Sequence, residues 1–117
     1  MSCYNHAHHA LAEGKIVDNP PGADTIADGL KTNVGQVNFP IMQRHLQQII
    51  CVSEAEILDA MRWIWERMKM VVEPSAAVPY AAIIKHPEPF RNKQVGVILS
   101  GGNVDLKNVG FWDGSQR

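Results

Sequence analysis

The chain has 117 residues and a mass of 13.0 kDa, the size of one domain. Apolar residues at 45% and charged residues at 20% match ordinary globular usage and exclude wholesale disorder. Eleven basic against twelve acidic side chains, spread over both halves, leave a formal charge of −1 and give no electrostatic support to nucleic-acid binding.

No apolar run approaches the roughly 18–20 residues that a bilayer span needs, so no membrane contact is expected. Met1–Ala12 is polar and rich in histidine, without a hydrophobic signal core, which points to a cytoplasmic protein. Cys3 and Cys51 are too few and too far apart for a disulfide framework and read as thiols. A domain of this size buries only about two thirds of its chain surface, so a large cleft would strain it. If the sequence is that of an enzyme part, the question becomes which part.

In chain order, Tyr4–Ala12 reads as a short helix closed by Gly14. Asp18-Asn19-Pro20-Pro21-Gly22 is a breaker, since two prolines lack backbone donors. It divides an arm (1–22) from an expected body (23–106), with a tail at 107–117. Pro40–Gln48 reads as a helix with Ile41, His45 and Leu46 on one face, and Ile49–Val52 as a buried strand. Ser53-Glu54-Ala55-Glu56 is a capping box opening a long helix. Its apolar positions are Ile57, Ala60, Met61, Ile64, Met68 and Val71, and its expected stop is Pro74. Ser75–Lys85 reads as a second, buried helix, with Pro79 tolerated near its first turn, and His86-Pro87-Glu88-Pro89 ends it. Gln94–Leu99 reads as a second strand. Strand, two helices, strand fits a right-handed crossover between parallel strands, an α/β architecture.

Ser100-Gly101-Gly102-Asn103 follows that strand, at the edge where open α/β sheets bind ligands. The glycines would let a ligand approach the main chain, and a short helix from Asp105 could offer N–H groups. A purely structural turn has the same pattern. His6 and His9 are spaced to share a helix face, but no partner completes a metal site of known spacing; a solvated terminus is the plainer reading. His45 and His86 read as surface or interface residues, and Trp65 as core. Trp63, Trp65 and Trp112 are not interleaved with basic residues as a base-stacking platform would be.

Four separated stretches change the weight of these readings. Thr25–Leu30 (TIADGL), Trp65–Lys69 (WERMK), Glu73–Ala76 (EPSA) and Val97–Asp105 (VILSGGNVD) closely resemble, in order, the C-terminal third of the serine racemase and serine–threonine dehydratase family. Those are pyridoxal-phosphate enzymes of fold type II. The resemblance runs from about Cys3 to Leu106. It implies a partial three-layer sandwich with parallel strands, belonging to the large domain of such an enzyme.

By the same resemblance Ser100 would hydrogen-bond the pyridine nitrogen of the cofactor, with Gly101 beside it. Glu73 would lie close to the cofactor pocket, unless it only caps the helix at Ser75. Lys69 and Asn103 would meet a regulatory nucleotide such as ATP; for Lys69 a solvated helix-end lysine is the plainer reading. Thr25–Leu30 would pack near the active-site entrance and subunit interface. The implied substrate is a hydroxy amino acid, L-serine or L-threonine. Loss of its α-proton and β-hydroxyl leads to a 2-oxo acid and ammonia, or reprotonation on the opposite face gives racemisation.

The family's Schiff-base lysine and its four-glycine phosphate loop have no counterpart in these residues, and Lys15, Lys31, Lys69, Lys85 and Lys93 lie outside any such context. Its divalent-metal ligands would precede the Cys-Tyr that matches Cys3-Tyr4. No catalytic residue or metal ligand is therefore assigned, and the polypeptide alone is expected to be inactive as a dehydratase. Ala76 and Ala77 stand where a glycine is usual and would narrow the pocket. Exposed strand edges lead to an expectation of a homodimer or higher self-association, and a non-catalytic assembly module or small-ligand binder is the alternative.

Overall fold

The computed structural model describes residues 6–19, 22 and 24–109. Cys3, Tyr4, the Pro20-Pro21 pair, Trp112 and the tail from 110 lie outside the described residues, as does the side chain of His6. The elements are α1 (His6–Glu13), a 3₁₀ turn (Asp28–Leu30), α2 (Asn38–His45), α3 (Glu54–Trp63), α4 (Pro74–Lys85) and a second 3₁₀ turn (Glu88–Phe90).

The core is the contact of α3 with α4. Ile57, Ala60, Met61 and Ile64 form the inner stripe of α3, all at 2% exposure or less. They meet Ala76, Ala77 and Ala81 of α4, whose small side chains let the two helices approach closely. Ala27, Val72 and Val109 complete the cluster. Burying Met61 and Ile64 contributes roughly 1.5–3 kcal/mol each.

The capping box forms as read. Glu56 N–H donates to Ser53 Oγ at 3.4 Å, and Ser53 N–H donates to Glu56 Oε2 at 2.6 Å. The end of α3 departs from expectation. From Ile64 to Met68 the helix widens into one π turn, and it stops at Lys69, five residues before Pro74. Lys69 is left-handed (φ 58°); its N–H donates to Trp65 O at 3.1 Å and its Nζ to Glu66 O at 2.8 Å, satisfying carbonyls that the helix end leaves over. The extra residue in the π turn swings the stripe off the core, so Met68 and Val71 are 55% exposed. Pro74 instead begins α4, where its missing N–H is harmless.

Other expectations are corrected. Pro79 sits inside α4 rather than in its first turn, and α4 buries only its alanine side, leaving Ile84 exposed. Helix α2 buries Phe39 instead of Ile41, which is exposed along with Leu46. No strand forms among the described residues. Ile49–Val52 and Gln94–Leu99 carry no ladder with each other, so the crossover between parallel strands is not seen among the described residues. A strand needs a neighbour for its main-chain groups, and the described residues show no ladder between these two segments. The expected helix at Asp105 is a turn: the Asp105 carboxylate accepts from the Lys107 N–H (3.0 Å) and Asn108 Nδ2 (2.6 Å), which occupies one of the backbone N–H groups read as open to a ligand.

Candidate functional site

Two loops converge on the start of α4. The first is Ser100–Asn103. Glu73 N–H donates to Gly101 O at 3.1 Å, and the Asn103 N–H donates to Glu73 Oε2 at 3.0 Å. Glu73 therefore does not cap its own helix; its carboxylate is turned across to the glycine loop. A Cβ on Gly101 would stand 2.8 Å from Glu73 Oε1, and one on Gly102 would stand 2.6 Å from the carbonyl oxygen of Val71. The glycines are thus needed for the loop to close on residues 71–73.

Ser100 is exposed at the near end of this loop, and its hydroxyl has no hydrogen-bond partner among the described residues. Ser100 does not line any of the better-formed concavities among the described residues. An exposed hydroxyl on a pinned backbone can donate one directed hydrogen bond to a heterocycle nitrogen. The residues present fit that single contact with pyridoxal phosphate.

The second loop, Thr25–Leu30, is held by two polar clamps that sequence reading missed. Glu54, at the first turn of α3, accepts from Thr25 Oγ1 (2.6 Å) and from the Ile26 N–H (3.0 Å). Thr25 Oγ1 in turn accepts from the Ala27 N–H at 3.1 Å. Ser75 Oγ accepts from the Gly29 N–H at 2.9 Å. Glu54 was legible only as a first-turn acid; its partner lies 29 residues away, and no local spacing announces it. Glu73 and Ser75, two residues apart, hold the two loops to one helix start.

The remaining sequence candidates fall elsewhere. Lys69 is engaged at the end of α3, and no hydrogen bond links it to Asn103 among the described residues. Ala76 and Ala77 are fully buried in the core, so they do not narrow a pocket. Trp65 packs against the core and donates Nε1–H to Val72 O at 3.0 Å, while Trp63 is half exposed beneath the Arg67 guanidinium, 5.1 Å from its ring. His8 and His9 meet edge to face on α1, and the described residues gather no group of three or more His, Cys, Asp or Glu able to hold a metal. No helix among the described residues is long and apolar enough to cross a membrane.

Residues 2–101 match the family model described as "Pyridoxal-phosphate dependent enzyme". The chain belongs to that family. It is similar to the serine racemase of Dictyostelium discoideum, 46% identical over 107 residues, which are 87% of this chain and 32% of the relative. The solved structure of that racemase superposes with a TM-score of 0.78, covering 88% of this chain and 33% of the other. The beta-hydroxyaspartate dehydratase of Paracoccus denitrificans (strain Pd 1222) is 45% identical over 104 residues, 88% of this chain and 32% of that one. The structure of maize serine racemase, 33% identical, gives a TM-score of 0.82 over 93% of this chain and 34% of its own. The chain spans about a third of the length of these relatives. The fold of this family member is thus the pyridoxal-phosphate fold type II expected from its motifs.

Proposed function

We propose that the chain is the C-terminal portion of the cofactor-binding domain of an enzyme acting on hydroxy amino acids, with L-serine or L-threonine as substrate. The observation that carries this is the exposed, unpartnered hydroxyl of Ser100 on a loop fixed by Glu73. Relatives named as a racemase and a dehydratase support the substrate class. Pyridoxal phosphate, when bound, supplies the electron sink for the charge left as the α-proton departs. Ser100 would donate its hydroxyl to the pyridine nitrogen and, being neutral, leave that nitrogen unprotonated. Glu73 would hold Ser100 in position through the loop, with Gly101 at the same edge. Asn103, whose side chain is exposed, and Lys69 are the proposed contacts of a regulatory nucleotide.

The same reading extends to a cytoplasmic homodimer, supported by the partly exposed Ile26 and Leu30 on the clamped loop. Any divalent metal would be held by residues other than the described ones. The test is reconstitution with the two thirds of the Dictyostelium serine racemase outside the matched residues, followed by 2-oxo acid release. Ser100→Ala should lower turnover about tenfold, the worth of one hydrogen bond of roughly 1.4 kcal/mol. Unchanged turnover and unchanged cofactor absorption would remove Ser100 from the site.

A further inference from the structure

Asp28-Gly29 opens the first 3₁₀ turn, and its two residues carry the groups for a rearrangement of their own main chain. Glycine has no Cβ to shield its peptide nitrogen, so that nitrogen can reach the side-chain carboxyl carbon of a preceding aspartate. The Asp28 side chain is 86% exposed, so burial does not protect the pair. Two contacts hold it instead. The Gly29 N–H donates to Ser75 Oγ at 2.9 Å, and Asp28 Oδ1 lies 2.7 Å from Lys31 Nζ, which also reaches Asp24 Oδ1 at 3.2 Å. The turn itself is closed by Leu30 N–H to Ala27 O at 2.9 Å and Lys31 N–H to Asp28 O at 3.1 Å. A Cβ on Gly29 would stand 3.1 Å from Ser75 Oγ and 3.2 Å from Ser75 Cβ. The close approach that makes the guarding hydrogen bond thus also favours the residue that makes the pair reactive.

We propose that Asp28-Gly29 is a site of aspartate-to-isoaspartate rearrangement, held shut in the folded chain by Ser75 and Lys31. In the reaction the Gly29 nitrogen attacks Cγ of the protonated Asp28 carboxyl group. A C–N bond forms, a C–O bond breaks, and the amide proton leaves with the carboxyl hydroxyl as water. Water then adds back to the cyclic imide. Attack at Cγ restores aspartate; attack at the main-chain carbonyl leaves the chain running through Cγ, with a free carboxylate on Cα. Composition is unchanged, and no oxidant or cofactor takes part. Ring closure requires the Asp28–Gly29 peptide to turn and the carboxyl group to come free, so each contact opposes it. The product main chain is longer by a single carbon between residues 28 and 29, which displaces the Gly29 N–H from Ser75. Thr25–Leu30 then comes off the start of α4 on that side, while Glu54 still holds Thr25 and Ile26.

The experiment ages the 117-residue chain in mildly acidic buffer and maps isoaspartate after tryptic digestion, as resistance to a protease that cuts at aspartate. Asp28 falls in peptide 16–31, apart from the other Asp-Gly pair, Asp113-Gly114, in peptide 108–117. In the folded chain Asp28 should rearrange more slowly than in urea by about tenfold or more, the combined effect of the two contacts. Ser75→Ala should raise the folded-state rate roughly threefold to tenfold, and Lys31→Gln by a smaller factor, because an exposed ion pair opposes less. Ser53→Ala, which removes a helix cap away from the loop, should leave the rate at the parent value. In the aged chain the Gly29 amide should exchange faster with deuterium, while that of Ile26 does not. Circular dichroism identifies the folded variants; where Ser75→Ala is unfolded, Lys31→Gln decides alone. Three results would each overturn the proposal. One is an equal rate in the folded and the urea-unfolded chain. Another is no acceleration in the folded variants at Ser75 and Lys31. The third is equal acceleration by Ser53→Ala, which would route the reaction through unfolding of the whole chain. Unchanged exchange at Gly29 would overturn the release of the loop.

Discussion

At Gly102 the room a side chain would need is filled by the carbonyl of Val71, which is main chain and cannot swing aside; at Gly101 it is filled by the carboxylate of Glu73, which can. This difference separates two substitutions of equal size. Gly102→Ala should destabilise the chain by about 1–3 kcal/mol through overpacking, read as a lower urea midpoint. Gly101→Ala should do less, because Glu73 can rotate at the expense of its bond to the Asn103 N–H. Equal effects would mean that the loop is not seated on residues 71–73. The motif was visible in the sequence, but its reason was not. Gly-Gly after a strand suggests room for a ligand, and only packing across 30 residues shows that the room is taken by the chain itself.

Among the elements, α3 was most legible where its interactions are local. The capping box joins residues three apart, so the pattern of side chains suffices to specify it. Ser53→Ala should cost about 1 kcal/mol in equilibrium unfolding. Glu56 also has a pH signature. The Ser53 N–H above all, helped by the Ser53 hydroxyl and Lys85, holds its carboxyl below the usual carboxylate range against the opposing effect of burial. A carboxyl lowered on folding stabilises the native state above its unfolded pKa, about 4.3, and that contribution disappears as pH falls through the lower native value. Unfolding midpoints measured from pH 7 to pH 3 should therefore fall less steeply for Glu56→Gln than for the parent. The far end of α3 was misread because the period of apolar residues continues through Met68 and Val71, whereas the π turn and left-handed Lys69 redirect the chain toward Val72 and the core.

On the scale of the whole molecule, the radius of gyration of 15.2 Å exceeds the roughly 13 Å of a compact domain of this length. The two helices that make the core are complete, while the segments read as strands form no ladder with each other among the described residues. Purified alone with added pyridoxal phosphate, the 117-residue chain should release no 2-oxo acid from L-serine or L-threonine, measured by a coupled assay. Turnover under those conditions would place the acid–base chemistry within this chain.

Family, capping box and the helical inner stripe were written in the sequence, because each depends on residue identity at short spacing or on motifs long enough to be specific. The tertiary structure alone decided that Glu73 turns to the glycine loop, that Glu54 and Ser75 hold Thr25–Leu30, and that no strand forms among the described residues. Those outcomes depend on what lies opposite in space. A strand, unlike a helix, cannot satisfy its backbone from its own neighbours in sequence.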